Sequence, residues 1–289
     1  MIMSIDRRHF LKLIGIAGAS LAVGKSFGSE TGNPGEVEFN AMLYDSSQCV
    51  GCQECERACA KAHQLPEPKD EPKVGIIRKT SESQRSAINI FKTSKGEVFN
   101  KTQCMHCNEP ACAAACLTQA MYKTKEGPVI WRGDKCMGCR YCMVSCPFDV
   151  PKFEYHSANP IIQKCDMCYD RIIKGQIPSC AEACPAGAVV FGTRRGLIAE
   201  ARKRIAKSPT DFYEGIFGEN EAGGTSNLYI STVPFNEVGF RTNLQNTSYP
   251  ALSKGFLYTV PSVFVLLPPL LLGIHEATKN KPSNSEENE

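Results

Sequence analysis

Sixteen cysteines fall into four groups of four, and no cysteine of the chain lies outside them. Group one is Cys49, Cys52, Cys55 and Cys59, and group two is Cys104, Cys107, Cys112 and Cys116. Group three is Cys136, Cys139, Cys142 and Cys146, and group four is Cys165, Cys168, Cys180 and Cys184. Groups one and three share the spacing C-x2-C-x2-C-x3-C; group two widens the middle gap to C-x2-C-x4-C-x3-C and group four to C-x2-C-x11-C-x3-C. The outer spacings stay fixed, so the four groups read as one repeated template with loop insertions. Thiolates are ligands for soft metals, and an iron–sulfur cube takes four of them at its corners. Three closely spaced cysteines can wrap one cube because a tight loop turns their side chains inward, while the fourth, at a helical turn, points elsewhere. Zinc also takes C-x2-C pairs, but zinc ribbons separate two such pairs by a longer stretch. Eight disulfides are the remaining use, and neighbouring cysteines at this spacing make poor disulfide geometry with one another.

In two-cluster ferredoxins the fourth cysteine ligates the other cube, and proline often follows it. Cys146-Pro147 and Cys184-Pro185 show this proline, whereas Cys59-Ala60 and Cys116-Leu117 lack it. Proline shapes the turn there and supplies no ligand. Gly51 and Gly138 stand between the first and second cysteines of groups one and three. With no side chain, each lets backbone N–H groups approach a cluster sulfur, and such hydrogen bonds, with burial, set the potential.

The elements that must position these groups are short. Residues 120–123 and 129–132 flank a Gly127-Pro128 turn and predict a hairpin. Residues 188–191 predict a further strand just after group four, and apolar residues at 197, 198, 201 and 205 predict a helix. Residues 60–103 form an insertion between groups one and two. The fold class is α+β: tandem bacterial-ferredoxin-like domains with insertions, each for two [4Fe–4S] clusters, over residues 40–206, then an extended arm over 207–250.

Two further segments bear on location. Arg7-Arg8 followed by His9-Phe10-Leu11-Lys12 and a short apolar run predict a twin-arginine signal over residues 1–28. Residues 255–274 carry no charge and are long enough to span a bilayer of about 30 Å, although Pro261, Pro268 and Pro269 count against a regular helix. Lys279 and Lys281 after the run, against Lys254 before it, place residues 275–289 on the cytoplasmic side. From Asn280 on, the tail has the composition of a disordered segment.

The chain resembles the four-cluster ferredoxin-like subunit of membrane-bound respiratory oxidoreductases, from Met42 to about Phe240. The motifs that carry the resemblance are CVGCQECERAC, QCMHCNEPAC, CMGCRYCMVSCPFDVPKF and SCAEACPAGAVVFGTR, with Gly223-Gly224-Thr225 later. That family includes the β subunits of formate dehydrogenase-N and dimethyl sulfoxide reductase and the ferredoxin-type subunit of periplasmic nickel–iron hydrogenase-2. The resemblance implies that group one pairs with group four and group two with group three. Cys49, Cys52, Cys55 and Cys184 then hold one cluster, and Cys59, Cys165, Cys168 and Cys180 its neighbour. Cys104, Cys107, Cys112 and Cys146 hold a third, and Cys116, Cys136, Cys139 and Cys142 the fourth. It further implies an electron wire between a periplasmic catalytic subunit and an integral membrane, quinone-interacting subunit. The twin-arginine signal with one C-terminal anchor is most similar to the hydrogenase member, with a formate dehydrogenase or other molybdopterin enzyme as the alternative.

Other residues are expected to do less. His106 is a packing or supporting histidine, since four thiolates are already at hand, and His63, His156 and His275 have no partner pattern. Trp131 packs the hairpin, and Arg194-Arg195 with Arg202-Lys203-Arg204 read as a solvated face. A net charge of +3 gives no reason to expect nucleic acid. No nucleophile–base constellation, P-loop or G-x-G-x-x-G is present, so the chain is expected to be a non-catalytic subunit.

Overall fold

The computed structural model describes residues 38–279. The expected signal and the tail from Asn280 lie outside the described residues. Residues 38–252 form one unit, described first; the helical stretch from Ser253 on belongs to another.

Strand β1 (Asn40–Asp45) precedes group one, whose third and fourth cysteines lie on helix α1 (Glu54–Ala62). The 60–103 insertion contains the hairpin of β2 (Ala87–Thr93) and β3 (Gly96–Thr102). Group two carries the one-turn helix α2 (Ala111–Ala114), and β4 (Met121–Lys123) and β5 (Val129–Trp131) form the expected hairpin leading to group three. Helix α3 (Tyr141–Val144) lies within group three, followed by the small antiparallel pair β6 (Lys152–Phe153) and β7 (Ile162–Gln163). Group four holds α4 (Tyr169–Ile172) and α5 (Ser179–Glu182) and leads into β8 (Val189–Thr193) and α6 (Arg194–Lys207). Thr193 caps α6 by accepting the Gly196 N–H.

The central sheet has the order β8-β1-β9, where β9 is Asn227–Ile230. β1 pairs antiparallel with β8 and parallel with β9, so both edges of β1 are hydrogen-bonded. Its period-2 alternation sorts the side chains. Ala41 and Leu43 face Leu197 and Ala201 of α6, and Met42 and Tyr44 pack in the core that contains Cys55 and Cys180.

The segment 207–250, expected as an extended arm, is instead part of this unit. β9 completes the sheet, and Phe217, Tyr229, Val233 and Phe235 are buried in the same core as group one. The Phe217 and Phe240 rings lie 4.2 Å apart and Tyr229 and Phe240 4.8 Å. The glycines and asparagines that suggested an arm form its turns, while a sparser set of apolar residues anchors it. Two of the five basic residues expected on a solvated face are also structural. The Arg194 guanidinium donates to Thr225 O at 2.8 Å and Glu219 O at 2.8 Å, and Arg204 pairs at 3.0 Å with Asp45, whose side chain is 1% exposed.

Helix α7 (Tyr249–Thr278) is 30 residues long, with a mean hydropathy of 1.9 across its apolar window. It extends the expected 255–274 stretch at both ends and runs through Pro261, Pro268 and Pro269 without a break. At about 1.5 Å per residue it is some 45 Å long, enough to cross a bilayer. Thr259 donates to Gly255 O at 2.9 Å and Thr278 to Ile274 O at 2.9 Å, which satisfies hydroxyls on an otherwise apolar helix.

Candidate metal centres

Each cysteine group uses the same backbone device. The residue before the second cysteine has a positive φ in all four: Gly51 (70°), His106 (48°), Gly138 (72°) and Met167 (60°). Two of these are bulky residues, for which that conformation is uncommon. Burial holds them, His106 being 0% and Met167 1% exposed, and His106 Nδ1 accepts the Val129 N–H at 2.9 Å. A second positive φ falls three residues after the last cysteine of groups two, three and four, at Gln119, Asp149 and Gly187. These reversals turn successive N–H groups toward sulfur, forming concave nests suited to an anion. Cys116 Sγ receives the N–H of Met121 at 3.3 Å and faces those of Ala120 and Thr118. Cys146 faces Val150 and Phe148, Cys49 faces Gly51, and Cys165 receives Met167 N–H at 3.3 Å.

Strand pairing then joins distant groups. β1, before group one, pairs with β8, after group four; β4, after group two, pairs with β5, before group three. Cys49, Cys52, Cys55 and Cys184 consequently line one cavity, walled by Tyr44, Ile88 and Val189, with about 320 Å³ of empty space partly open to solvent. Cys116, Cys136, Cys139 and Cys142 line a second, walled by Met121, Trp131 and Ile162, also of about 320 Å³. Between these lie two more buried gatherings. Burial pushes Cys59 up to about 12, and the nearby Cys180 and Cys168 add to the shift; Cys165 is raised by burial and then by Cys59. Burial likewise pushes Cys107 up to about 12, with Cys104 and Cys146 adding to it, and raises Cys112 beside the same cysteines.

Shared apolar clusters link the four gatherings in series. Cys55 and Cys180 share one apolar cluster, Cys165 and Cys104 another with Val150, and Cys112 and Cys142 a third with Met121, Val129 and Ile162. At each end of the series one cysteine is exposed, Cys52 and Cys139.

This donor set fits iron–sulfur cubes. All sixteen cysteines are unbridged. Tetrahedral zinc, with Zn–S near 2.3 Å, needs its sulfurs under about 4 Å apart. Among the described residues, no three cysteine sulfurs lie within 4.8 Å of one another. The buried thiols are pushed toward neutrality, by burial before all else, and only a multivalent cation makes four adjacent thiolates stable there.

Four neighbours of these thiols have no motif in the sequence to mark them. Lys101 is 1% exposed and its Nζ has no hydrogen-bond partner. An unpaired ammonium inside a protein costs several kcal/mol, so this atom calls for an anionic group beside it. Lys164 Nζ donates to Cys165 O at 2.6 Å and to Val129 O, and Lys123 Nζ donates to Cys107 O at 2.9 Å. His63 Nε2 lies 3.6 Å from Cys168 Sγ and 3.3 Å from Asp166, which Arg85 holds at 2.7 Å. The only sequence signal for the three lysines is that each stands near a cysteine group, and His63 had none. His106 and Trp131 behave as expected, in packing and hairpin roles.

Residues 96–194 match the model of the 4Fe-4S dicluster domain. The hydrogenase-2 operon protein HybA of Escherichia coli O157:H7 is 32% identical over 97% of this chain and 97% of its own length. The iron-sulfur subunit of the nitrate-inducible formate dehydrogenase of Escherichia coli K12 is 32% identical over 66% of this chain and 67% of its own. A protein of Nitratidesulfovibrio vulgaris is 41% identical over 96% of this chain and 78% of its own. With nests, thiol cavities and a full-length likeness in agreement, the chain belongs to the 4Fe-4S iron–sulfur protein family that contains HybA and the formate dehydrogenase iron–sulfur subunits.

Proposed function

We propose that the chain carries electrons through four [4Fe–4S] clusters, held by the four three-plus-one cysteine sets, between a periplasmic catalytic subunit and a quinone-linked membrane subunit. The observation that carries this reading is the series of four linked thiol gatherings with one exposed cysteine at each end. Cys49, Cys52, Cys55 and Cys184 hold the first cluster; Cys59, Cys165, Cys168 and Cys180 the second. Cys104, Cys107, Cys112 and Cys146 hold the third; Cys116, Cys136, Cys139 and Cys142 the fourth.

Each bound cluster supplies one-electron redox chemistry. The chain's residues do the rest. The nests direct N–H groups at sulfur and favour the added negative charge. Tyr44, Ile88 and Val189 at one end and Met121, Trp131 and Ile162 at the other wall off water. The shared apolar clusters fix adjacent cysteine sets against each other, so an electron crosses packed protein and not solvent. No acid–base pair is needed, because no bond to a substrate changes.

The preferred catalytic partner is a nickel–iron uptake hydrogenase. The 97% coverage shared with a hydrogenase-2 operon protein supports it. A formate dehydrogenase or other molybdopterin enzyme is the second reading, supported by a relative of equal identity over a shorter span. In this reading Arg7-Arg8 direct export and α7 anchors the body on the periplasmic side of the cytoplasmic membrane; the length and apolar composition of α7 support the anchor. Metal analysis of the purified complex tests both levels. Iron and acid-labile sulfide near about sixteen each per chain, with a brown colour bleached by dithionite, are expected. A colourless, zinc-bearing chain overturns the relay. Co-purifying nickel supports the hydrogenase reading, and molybdenum replaces it with the second.

A further inference from the structure

Lys101 differs from the other interior lysines. Lys123 and Lys164 hold backbone carbonyls, whereas Lys101 Nζ has no oxygen or nitrogen partner although the side chain is among the most buried in the protein. Its position is fixed from both sides: β3 pairs Lys101 with Ile88, and Tyr229 Oη donates to Lys101 O at 3.0 Å. The nearby carboxylate of Glu56 is already occupied. Both its oxygens bind Arg78, at 2.8 and 2.7 Å, and it also accepts from Gln84 and the Ile88 N–H. The groups whose charge acts on the Lys101 ammonium are thiols of two sets, Cys180 most strongly, then Cys55 of the first set, then Cys165 and Cys59 of the second. Lys101 is thus a cation without a conventional counter-ion at the junction between the first two sets.

We propose that Lys101 is the shared counter-charge of the first and second clusters and raises the potentials of both. The inference rests on the relay reading. Reduction adds one electron to a site and makes or breaks no bond; the electron comes from one redox partner and leaves to the other. A fixed positive charge favours the more negative, reduced state. It acts on both sets because Cys180 of the second and Cys55 of the first are the thiols that feel its charge most. The cations beside Cys116, Cys136, Cys139 and Cys142 are held differently: Arg132 donates to Gln119 O and stacks over the Tyr122 ring, and Arg140 stacks over the Phe153 ring.

The test is an electron-paramagnetic-resonance potentiometric titration of the purified complex with Lys101→Met and Lys101→Arg, alongside iron analysis. In Lys101→Met two of the four midpoint potentials are expected to shift to more negative values while the other two stay in place, and Lys101→Arg is expected to restore most of the shift. Unchanged potentials in a fully loaded Lys101→Met protein overturn the proposal, as does an equal shift of all four. If Lys101→Met loses iron, retention in Lys101→Arg supports the need for charge, and loss in both variants overturns it in favour of a purely steric role. Failure of the relay reading looks different: the unmutated protein itself then shows no set of reducible clusters.

Discussion

The half built from groups one and four and the half built from groups two and three use the same local design in unequal surroundings. Each half pairs one strand from each of its two groups and forms a pocket, partly open to solvent, lined by four cysteines, one of them exposed. The first half is then wrapped. A third strand, α6, the β2–β3 hairpin and the aromatic cluster around Phe217 cover it, and a buried lysine sets its charge near the sulfurs. The second half keeps a three-residue hairpin and leaves Leu117, Met137, Tyr141 and Val144 exposed. The ligand geometry therefore depends on the local repeat, whereas electrostatics and surface depend on what packs outside it.

The largest effect is expected from removing a crossing ligand. Cys184→Ser in the first half and Cys146→Ser in the second should each cost one cluster, about a quarter of the iron, and Cys184→Ser should block electron flow to quinone. Iron loss from either variant well beyond that quarter would show that the halves are not independent holders. Next comes Arg78→Met, which strands the Glu56 carboxylate, whose side chain is 0% exposed, and should destabilise the wrapped half by about 3–5 kcal/mol. Chemical denaturation of the loaded protein checks it, and a loss under about 1 kcal/mol would mean that the buried pair is dispensable.

A sharper comparison comes from two glycines with the same backbone. Gly51→Ala and Gly138→Ala both place a side chain at φ near 70°, costing about 1–2 kcal/mol each. At Gly51 the added Cβ would also run into the Phe99 ring, while at Gly138 nothing lies within 4 Å. Gly51→Ala should therefore cost about 1–3 kcal/mol more; equal losses would mean that Phe99 moves aside freely. The smallest effect is expected at the bare surface. Val144→Asp, at a residue 84% exposed, should change stability by no more than about 0.5 kcal/mol, measured by thermal unfolding with iron content unchanged.

Much of the site was legible in the sequence because the metal chemistry is local. A loop that wraps a cube needs its thiols at short, fixed intervals, and those intervals survive in the one-dimensional pattern. The hairpin of β4 and β5 and helix α6 were legible for a similar reason, since turn residues and apolar periodicity are short-range signals. The 207–250 segment was not. Its anchors Phe217, Tyr229 and Phe240 are spread among polar turn residues and acquire meaning only when β9 finds β1. Arg194 and Arg204 misled for the same reason, because their partners Thr225 and Asp45 lie 31 and 159 residues away. By itself the sequence determined that this protein is a repeated thiol scaffold for iron and sulfide, through the spacing of sixteen cysteines. Only the tertiary structure decided which groups share a cavity, in what order the sets are linked and where the unpartnered charge of Lys101 sits. Those depend on strand pairing and burial between residues far apart in the chain, which no local spacing encodes.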